Sequence, residues 1–205
     1  KPLIKVLGKE IIFWVLDNLN LKKKDKLYIV YNNQLEKFGF EEHFAKYPNI
    51  NFLKLDHNTH GPVETIYKLT NILEKNSKNE GLLIIDGDTF YKKNIINQIN
   101  ENYHTIFYHK TKIKEPIFSY VKINRNKIKK ILEKKKISNN ANTGAYYFNN
   151  INKFNSYSRS ALKNDKKIYV SDIYNLLLKN KELIIGKEIK EKEFACLGTP
   201  KQVID

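Results

Sequence analysis

Gly81-Leu82-Leu83-Ile84-Ile85-Asp86-Gly87-Asp88 decides how this chain is read. Its four aliphatic residues form the most strand-like run in the sequence, apolar on both faces. A strand of that kind belongs to a sheet covered on both sides, which predicts a parallel α/β core. The strand ends in two carboxylates separated by one glycine, and open α/β sheets bind their ligands outside the carboxyl ends of their strands.

The pattern on either side supports an α/β chain. Upstream, residues 10–19 place Ile12, Val15, Leu16 and Leu19 on one helical face. Residues 27–31 and 50–55 read as strands, and residues 32–47 as partly helical. A polar loop then leads to a helix whose apolar positions Val63, Ile66, Tyr67, Thr70 and Leu73 step by three and four. Pro62 stands in its first turn, where proline is tolerated. This alternation is the βαβ rhythm. Downstream, after a short helix at 95–99, the rhythm changes. Strands are expected at 104–110, 116–123, 127–133 and 143–148, with Asn124-Arg125-Asn126 as a hairpin turn. Helices follow at 151–162 and 170–178, and closing strands at 183–185 and 193–197.

At 205 residues and 41% hydrophobic, the chain suits one α/β domain over residues 1–205. No apolar run approaches the ~20 residues that span a bilayer, so no membrane partner is expected. The single cysteine, Cys196, forms no internal disulfide, which fits a reducing cytoplasm. The chain contains no methionine and opens on Lys1-Pro2-Leu3-Ile4, from which a missing N-terminal segment is expected. The net charge of +15 invites a nucleic-acid reading. Lysine supplies nearly all of it, however, with Arg125 and Arg159 the two arginines, whereas base and phosphate readers lean on arginine's bidentate fork. The lysine clusters at 22–24 and 134–136 read as solvated surface, and no nucleic-acid partner is expected.

Asp86 and Asp88 are candidate Mg²⁺ ligands, because this hard cation takes one or two carboxylates together with substrate phosphates. Gly87 between them allows close approach of a nucleotide. On their own the three residues read equally as a turn with a helix cap. There is no Gly-x-x-x-x-Gly-Lys-Ser/Thr loop, Gly-x-Ser-x-Gly elbow or His-Glu-x-x-His pair. His57 and His60 lack a third zinc ligand and read as surface residues, and Cys196 as a packed thiol.

Five stretches occur in a telling order: Lys1-Pro2-Leu3-Ile4 with Gly8-Lys9; Gly61-Pro62-Val63-Glu64-Thr65; Asp86-Gly87-Asp88; Glu133-Lys134 followed by Asn142-Thr143-Gly144-Ala145-Tyr146-Tyr147-Phe148; and Leu197-Gly198-Thr199-Pro200. Across nearly the whole chain this order resembles the sugar-phosphate nucleotidyltransferase superfamily, especially its capsule-locus branch. The resemblance implies a three-layer α/β/α, Rossmann-like and GT-A-like fold, with a mixed, mostly parallel sheet and a small antiparallel hairpin region. It implies Mg²⁺ as cofactor, with a nucleoside triphosphate and a phosphorylated small-molecule acceptor as partners. Position by position, it gives Lys1 to the triphosphate and Asp88 to the metal, with Asp86 as helper on the nucleotide and metal side. Gly61 and Glu64 fall at the nucleobase. Glu133 and Lys134 fall at the acceptor's hydroxyls and phosphate, with Asn142 and Gly144 on the strand against which the acceptor packs. Lys1, Asp88 and Lys134 are the expected catalytic set. Two departures stand out: the glycine-rich loop that should precede Lys1 is absent, and Cys196 occupies the place of a second metal-binding aspartate.

The implied reaction is in-line attack by an acceptor phosphate on the α-phosphorus, releasing pyrophosphate, for capsule or other surface polysaccharide synthesis. Three alternatives stay open from the residues: a GT-A glycosyltransferase using a nucleotide sugar, a cytidylyltransferase acting on a choline-phosphate-like acceptor, and an inactive truncated remnant.

Overall fold

Strand direction is set by pairing between distant segments, and this is where the fold departs most from expectation. The computed structural model describes residues 1–47, 49–74, 80–163, 166–199 and 202–203. It opens with β1 (Lys5–Val6) and β2 (Lys9–Glu10), a small hairpin, then α1 (Ile11–Leu16), β3 (Leu27–Asn32), β4 (Ile50–Leu55) and α2 (Pro62–Leu73). Next come β5 (Leu82–Ile85), β6 (Thr89–Tyr91), β7 (His104–Lys110), β8 (Ser119–Asn124), β9 (Lys127–Glu133) and β10 (Asn140–Phe148). The chain closes with α3 (Ile151–Ala161), α4 (Val170–Lys179), β11 (Ile184–Glu188) and β12 (Phe194–Cys196).

Six strands form the central sheet, in the order β5-β10-β7-β11-β9-β8. Only β7 and β11 run parallel within it; β10 runs antiparallel to both β5 and β7, and β9 antiparallel to β11 and β8. The sheet is therefore mixed and mostly antiparallel, which corrects the expectation of a mostly parallel one. An apolar strand reports that both faces are covered and carries no information on which way its neighbour runs. A parallel pair does occur apart from this sheet, between β3 and β4.

Coverage of β5 is two-sided, as its residues require. Leu82 and Ile84 pack with Ile106, Phe148, Phe154 and Tyr174 on one face, and Leu83 and Ile85 with Tyr91, Phe107 and Tyr147 on the other. All four residues are nevertheless half-buried, because among the described residues β5 pairs only with β10. The first face is helical: Val63 of α2, Phe154 of α3 and Ile173, Tyr174 and Leu177 of α4 reach 0% exposure, each such side chain stabilising the fold by roughly 1.5–3 kcal/mol. The second face is covered by β6, β12 and the 3₁₀ turn Ile95–Gln98, so among the described residues the expected second helical layer over this sheet is replaced by short pieces. The helix α1 packs instead with Tyr31, Phe40 and Phe44 beside the β3–β4 pair.

Local signals held well. Arg125 and Asn126 both adopt positive φ (44° and 64°), the geometry of a two-residue hairpin loop, and Asn124 faces Lys127 across the turn. Residues 32–47, expected to be partly helical, form the two 3₁₀ turns Asn33–Phe38 and Glu41–Phe44. No helix among the described residues is long and apolar enough to cross a membrane.

Candidate active site

Asp86 follows directly on β5, and its surroundings are shaped around its carboxylate. The Asp86 N–H donates to the Gly144 carbonyl at 2.8 Å, tying the end of β5 to β10. Gly144 sits at φ 85°, where glycine has no Cβ penalty, and a Cβ there would stand 2.7 Å from Asp86 Oδ2. The bulge that turns Gly144 is held by Asn142: its carbonyl oxygen accepts from the Gly144 N–H at 2.6 Å, and its amide donates to the Phe107 carbonyl at 3.2 Å. Asn142 is 5% exposed, and its side-chain amide bonds backbone and supports Gly144. Crowding by protein, followed by the charges of Asp88 and Glu133, pushes the Asp86 carboxyl up to about 7, although one flank of the residue stays open to solvent.

Asp88 is framed by the chain's C-terminal strand. β12 pairs with β6, placing Cys196 opposite Thr89, and the Leu197 N–H donates to the Asp88 carbonyl at 2.7 Å. A Cβ on Gly198 would meet Asp88 Oδ2 at 2.4 Å, so glycine here makes room for the carboxylate. Lys1 Nζ donates to the Gly198 carbonyl at 3.0 Å, which brings the first residue of the chain to the same loop. Cys196 is half-buried; its burial, then the charges of Asp88 and Asp86 working against a hydrogen bond at Gly198, hold the thiol above its ordinary range and therefore protonated. Pro200, the last residue of the Leu-Gly-Thr-Pro stretch, lies outside the described residues.

The expected acceptor pair ends β9. Glu133 Oε2 accepts from Ser119 Oγ on β8 and from Ser171 Oγ in the first turn of α4, the latter at 3.0 Å. Lys134 then turns into the left-handed region (φ 47°), held by its N–H bond to the Phe118 carbonyl at 2.9 Å. That backbone costs a non-glycine residue about 1–2 kcal/mol and leaves the lysine exposed, with Nζ 5.9 Å from the Tyr169 ring. Lys167 reaches the same ring at 5.0 Å.

Gly61 and Glu64 have local tasks. A Cβ on Gly61 would stand 2.9 Å from the Ile168 carbonyl, so the start of α2 abuts residues 167–168; with φ 177° the need is for close approach, not an unusual backbone. Glu64 accepts from the His60 N–H at 2.7 Å and pairs with Lys68 at 3.7 Å. A cavity of about 510 Å³ lies here, lined by His60, Glu64, Tyr67, Lys68 and Lys166 among others. It does not include Asp86, Asp88, Lys1, Glu133 or Lys134, whereas the Gly144 and Gly198 contacts are shaped around Asp86 and Asp88.

A model of the family described as "Nucleotidyl transferase" matches residues 1–192. The chain belongs to this family. Among solved structures, this nucleotidyl transferase is similar to a nucleoside-diphosphate-sugar pyrophosphorylase from Vibrio cholerae RC9, at 18% identity and a TM-score of 0.84, over 100% of this chain and 90% of that one. It is also similar to a candidate glucose-1-phosphate thymidylyltransferase from Bacillus anthracis (18% identity, TM-score 0.75, 100% and 83% covered). A third similar structure is the inositol-1-phosphate CTP transferase from T. maritima (13% identity, TM-score 0.76, 98% and 82% covered). No curated protein matches by sequence. The family is one of enzymes that transfer nucleotidyl groups, and the mixed α/β fold of this nucleotidyl transferase is that of its solved neighbours.

The donor set fits a divalent cation of the magnesium type. Among the described residues no three His, Cys, Asp or Glu side chains converge into a closed cage, whereas two carboxylates, each accommodated by a glycine, stand at one strand end. Magnesium is commonly held by one or two carboxylates, with water and substrate phosphates completing its shell. Ser119 and Ser171 are partners of Glu133 that sequence reading missed. A serine in the strand Phe118-Ser119-Tyr120 and one beside a helix start read as ordinary polar and capping positions, and only the fold brings both to Glu133.

Proposed function

We propose that this nucleotidyl transferase joins a nucleoside triphosphate to a phosphorylated sugar or similar small molecule, releasing pyrophosphate, with Asp88 and Asp86 holding Mg²⁺. The observation that carries the reading is the convergence of Lys1, Asp88 and Gly198 in one loop contact, beside Asp86 and Gly144 at the end of β5. A bound Mg²⁺ would supply charge neutralisation on the triphosphate. The attacking acceptor phosphate is already anionic and needs no general base, so catalysis rests on positioning and electrostatics. Lys1, exposed at the Gly198 carbonyl, offsets charge on the departing pyrophosphate. Lys134, displayed by its left-handed backbone, orients the acceptor phosphate, and Glu133 beside it accepts from acceptor hydroxyls. Gly61 and Glu64, at the start of α2, are assigned to the nucleotide on the family resemblance. The likeness of the five sequence stretches to the capsule-locus branch supports a cytoplasmic role in supplying activated sugars for surface polysaccharide.

The test is pyrophosphate release across the four common triphosphates paired with hexose 1-phosphates, inositol phosphate and phosphocholine, with Mg²⁺ and with chelator. Turnover with one pair, dependent on Mg²⁺ and reduced at least about hundredfold in Asp88→Ala, is expected. Absence of turnover with every pair, or full turnover in Asp88→Ala, would overturn the assignment.

A further inference from the structure

Glu133 is fixed through one of its two oxygens. Ser119 Oγ and Ser171 Oγ both donate to Oε2, and among the described residues Oε1 accepts no hydrogen bond. The serines come from different elements, β8 and the first turn of α4, and they are 6% and 0% exposed; Ser119 also hydrogen-bonds the buried Tyr146 hydroxyl. Neither hydroxyl serves its own element. The start of α4 is closed by Asp172, whose Oδ2 accepts from the Tyr169 N–H at 2.9 Å, and β8 is held by its backbone ladder, in which Ser119 stands opposite Glu133.

This arrangement has work to do, because a half-buried glutamate at the end of a strand would otherwise turn its carboxylate toward water. The same strand also fixes the next residue, through the Lys134 N–H bond to the Phe118 carbonyl. Phe118 and Ser119 thus set the backbone of one expected acceptor residue and the side chain of the other.

We propose that Ser119 and Ser171 are positioning residues of the acceptor site: by pinning Oε2 of Glu133, they leave Oε1 alone to accept from the acceptor's hydroxyl group. The proposal rests on the nucleotidyl-transfer reading above for the identity of the ligand. Its experiment separates the two. Ser119→Ala, Ser171→Ala and the double variant are compared with wild type in steady-state kinetics, using the hexose 1-phosphate and triphosphate chosen by the pyrophosphate assay. Each single change is expected to raise KM for the hexose phosphate several-fold and the double change about hundredfold, with kcat at saturating acceptor and KM for the triphosphate within about twofold of wild type. Ser119→Thr, which keeps a hydroxyl on a residue suited to strands, restores the wild-type KM. A crystal structure of each variant supplies a readout independent of turnover: Glu133 keeps its rotamer in wild type and leaves it in the double variant. An unchanged rotamer in a folded double variant overturns the proposal, and so does an unchanged acceptor KM. If wild type turns over no pair, the functional reading fails while the rotamer comparison still decides the positioning claim, and the single variants decide it if the double variant does not fold.

Discussion

Replacing Gly198 by alanine separates site geometry from stability. A Cβ at this position would lie 2.4 Å from Asp88 Oδ2, and ordinary contact begins near 3.4 Å, so the carboxylate must retreat by about 1 Å. The obstructing atom is the end of a flexible side chain and not backbone, so Asp88 relieves the clash by rotating, at about 0.5–1.5 kcal/mol for a side chain leaving its rotamer well. Stability therefore changes little. Activity does not escape so lightly, because misplacing a positioning group by about 1 Å costs on the order of a hundredfold in rate, or about 2.7 kcal/mol of transition-state stabilisation. Pyrophosphate release by Gly198→Ala under saturating Mg²⁺, beside its urea midpoint, reads both quantities. Turnover within threefold of wild type in the folded variant would refute the reasoning, since it would mean that the placement of Asp88 does not matter.

Two further predictions follow from the same structure. Gly144→Ala combines a Cβ at φ 85° with a 2.7 Å approach to Asp86 Oδ2, so it should lower stability by about 1–2 kcal/mol from the backbone alone and impair turnover as well, read by the urea midpoint and the same assay. The contribution of His104 to stability should fall in acid. Burial holds the His104 imidazole down to about 4, so as pH drops from 6.5 toward 4 the unfolded chain takes up a proton that the folded chain refuses; stability present above pH 6.5 is lost through this window, by up to about 3 kcal/mol. The raised Asp86 carboxyl works in the opposite sense over the same range, so the test is a comparison of urea midpoints between wild type and a folded His104 replacement: on going from pH 7.5 to 4.5 wild type should lose stability relative to the replacement.

How much of this was legible in the sequence depended on how local the cause is. The hairpin at residues 124–126 and the helix after Pro62 follow from short-range chemistry and stand where the residues place them. The antiparallel entry of β10 between β5 and β7 joins segments thirty or more residues apart, and nothing in an apolar run specifies it. Strand β6 was missed because three residues directly after Asp-Gly-Asp offer too short a pattern, and it exists through its pairing with β12. Within the site, the carboxylates at the end of β5 were visible from their position in the sequence. The roles proposed for Lys1, Glu133 and Lys134 came from family resemblance, and the hold of Asn142 on the Gly144 backbone was hidden because an amide beside a glycine serves ligand and backbone equally well.

The half-exposed flank of β5 has a consequence for how copies of this chain behave together. Among the described residues β5 pairs on one side only; amides and carbonyls along such an edge template pairing with another edge, and Leu82–Ile85 carries no charged side chain to discourage it. What opposes such pairing is mutual repulsion between molecules of net charge +15. That repulsion reaches about 10 Å at 0.1 M salt and only about 3 Å at 1 M, so colloidal behaviour should be governed by ionic strength, which light scattering would register.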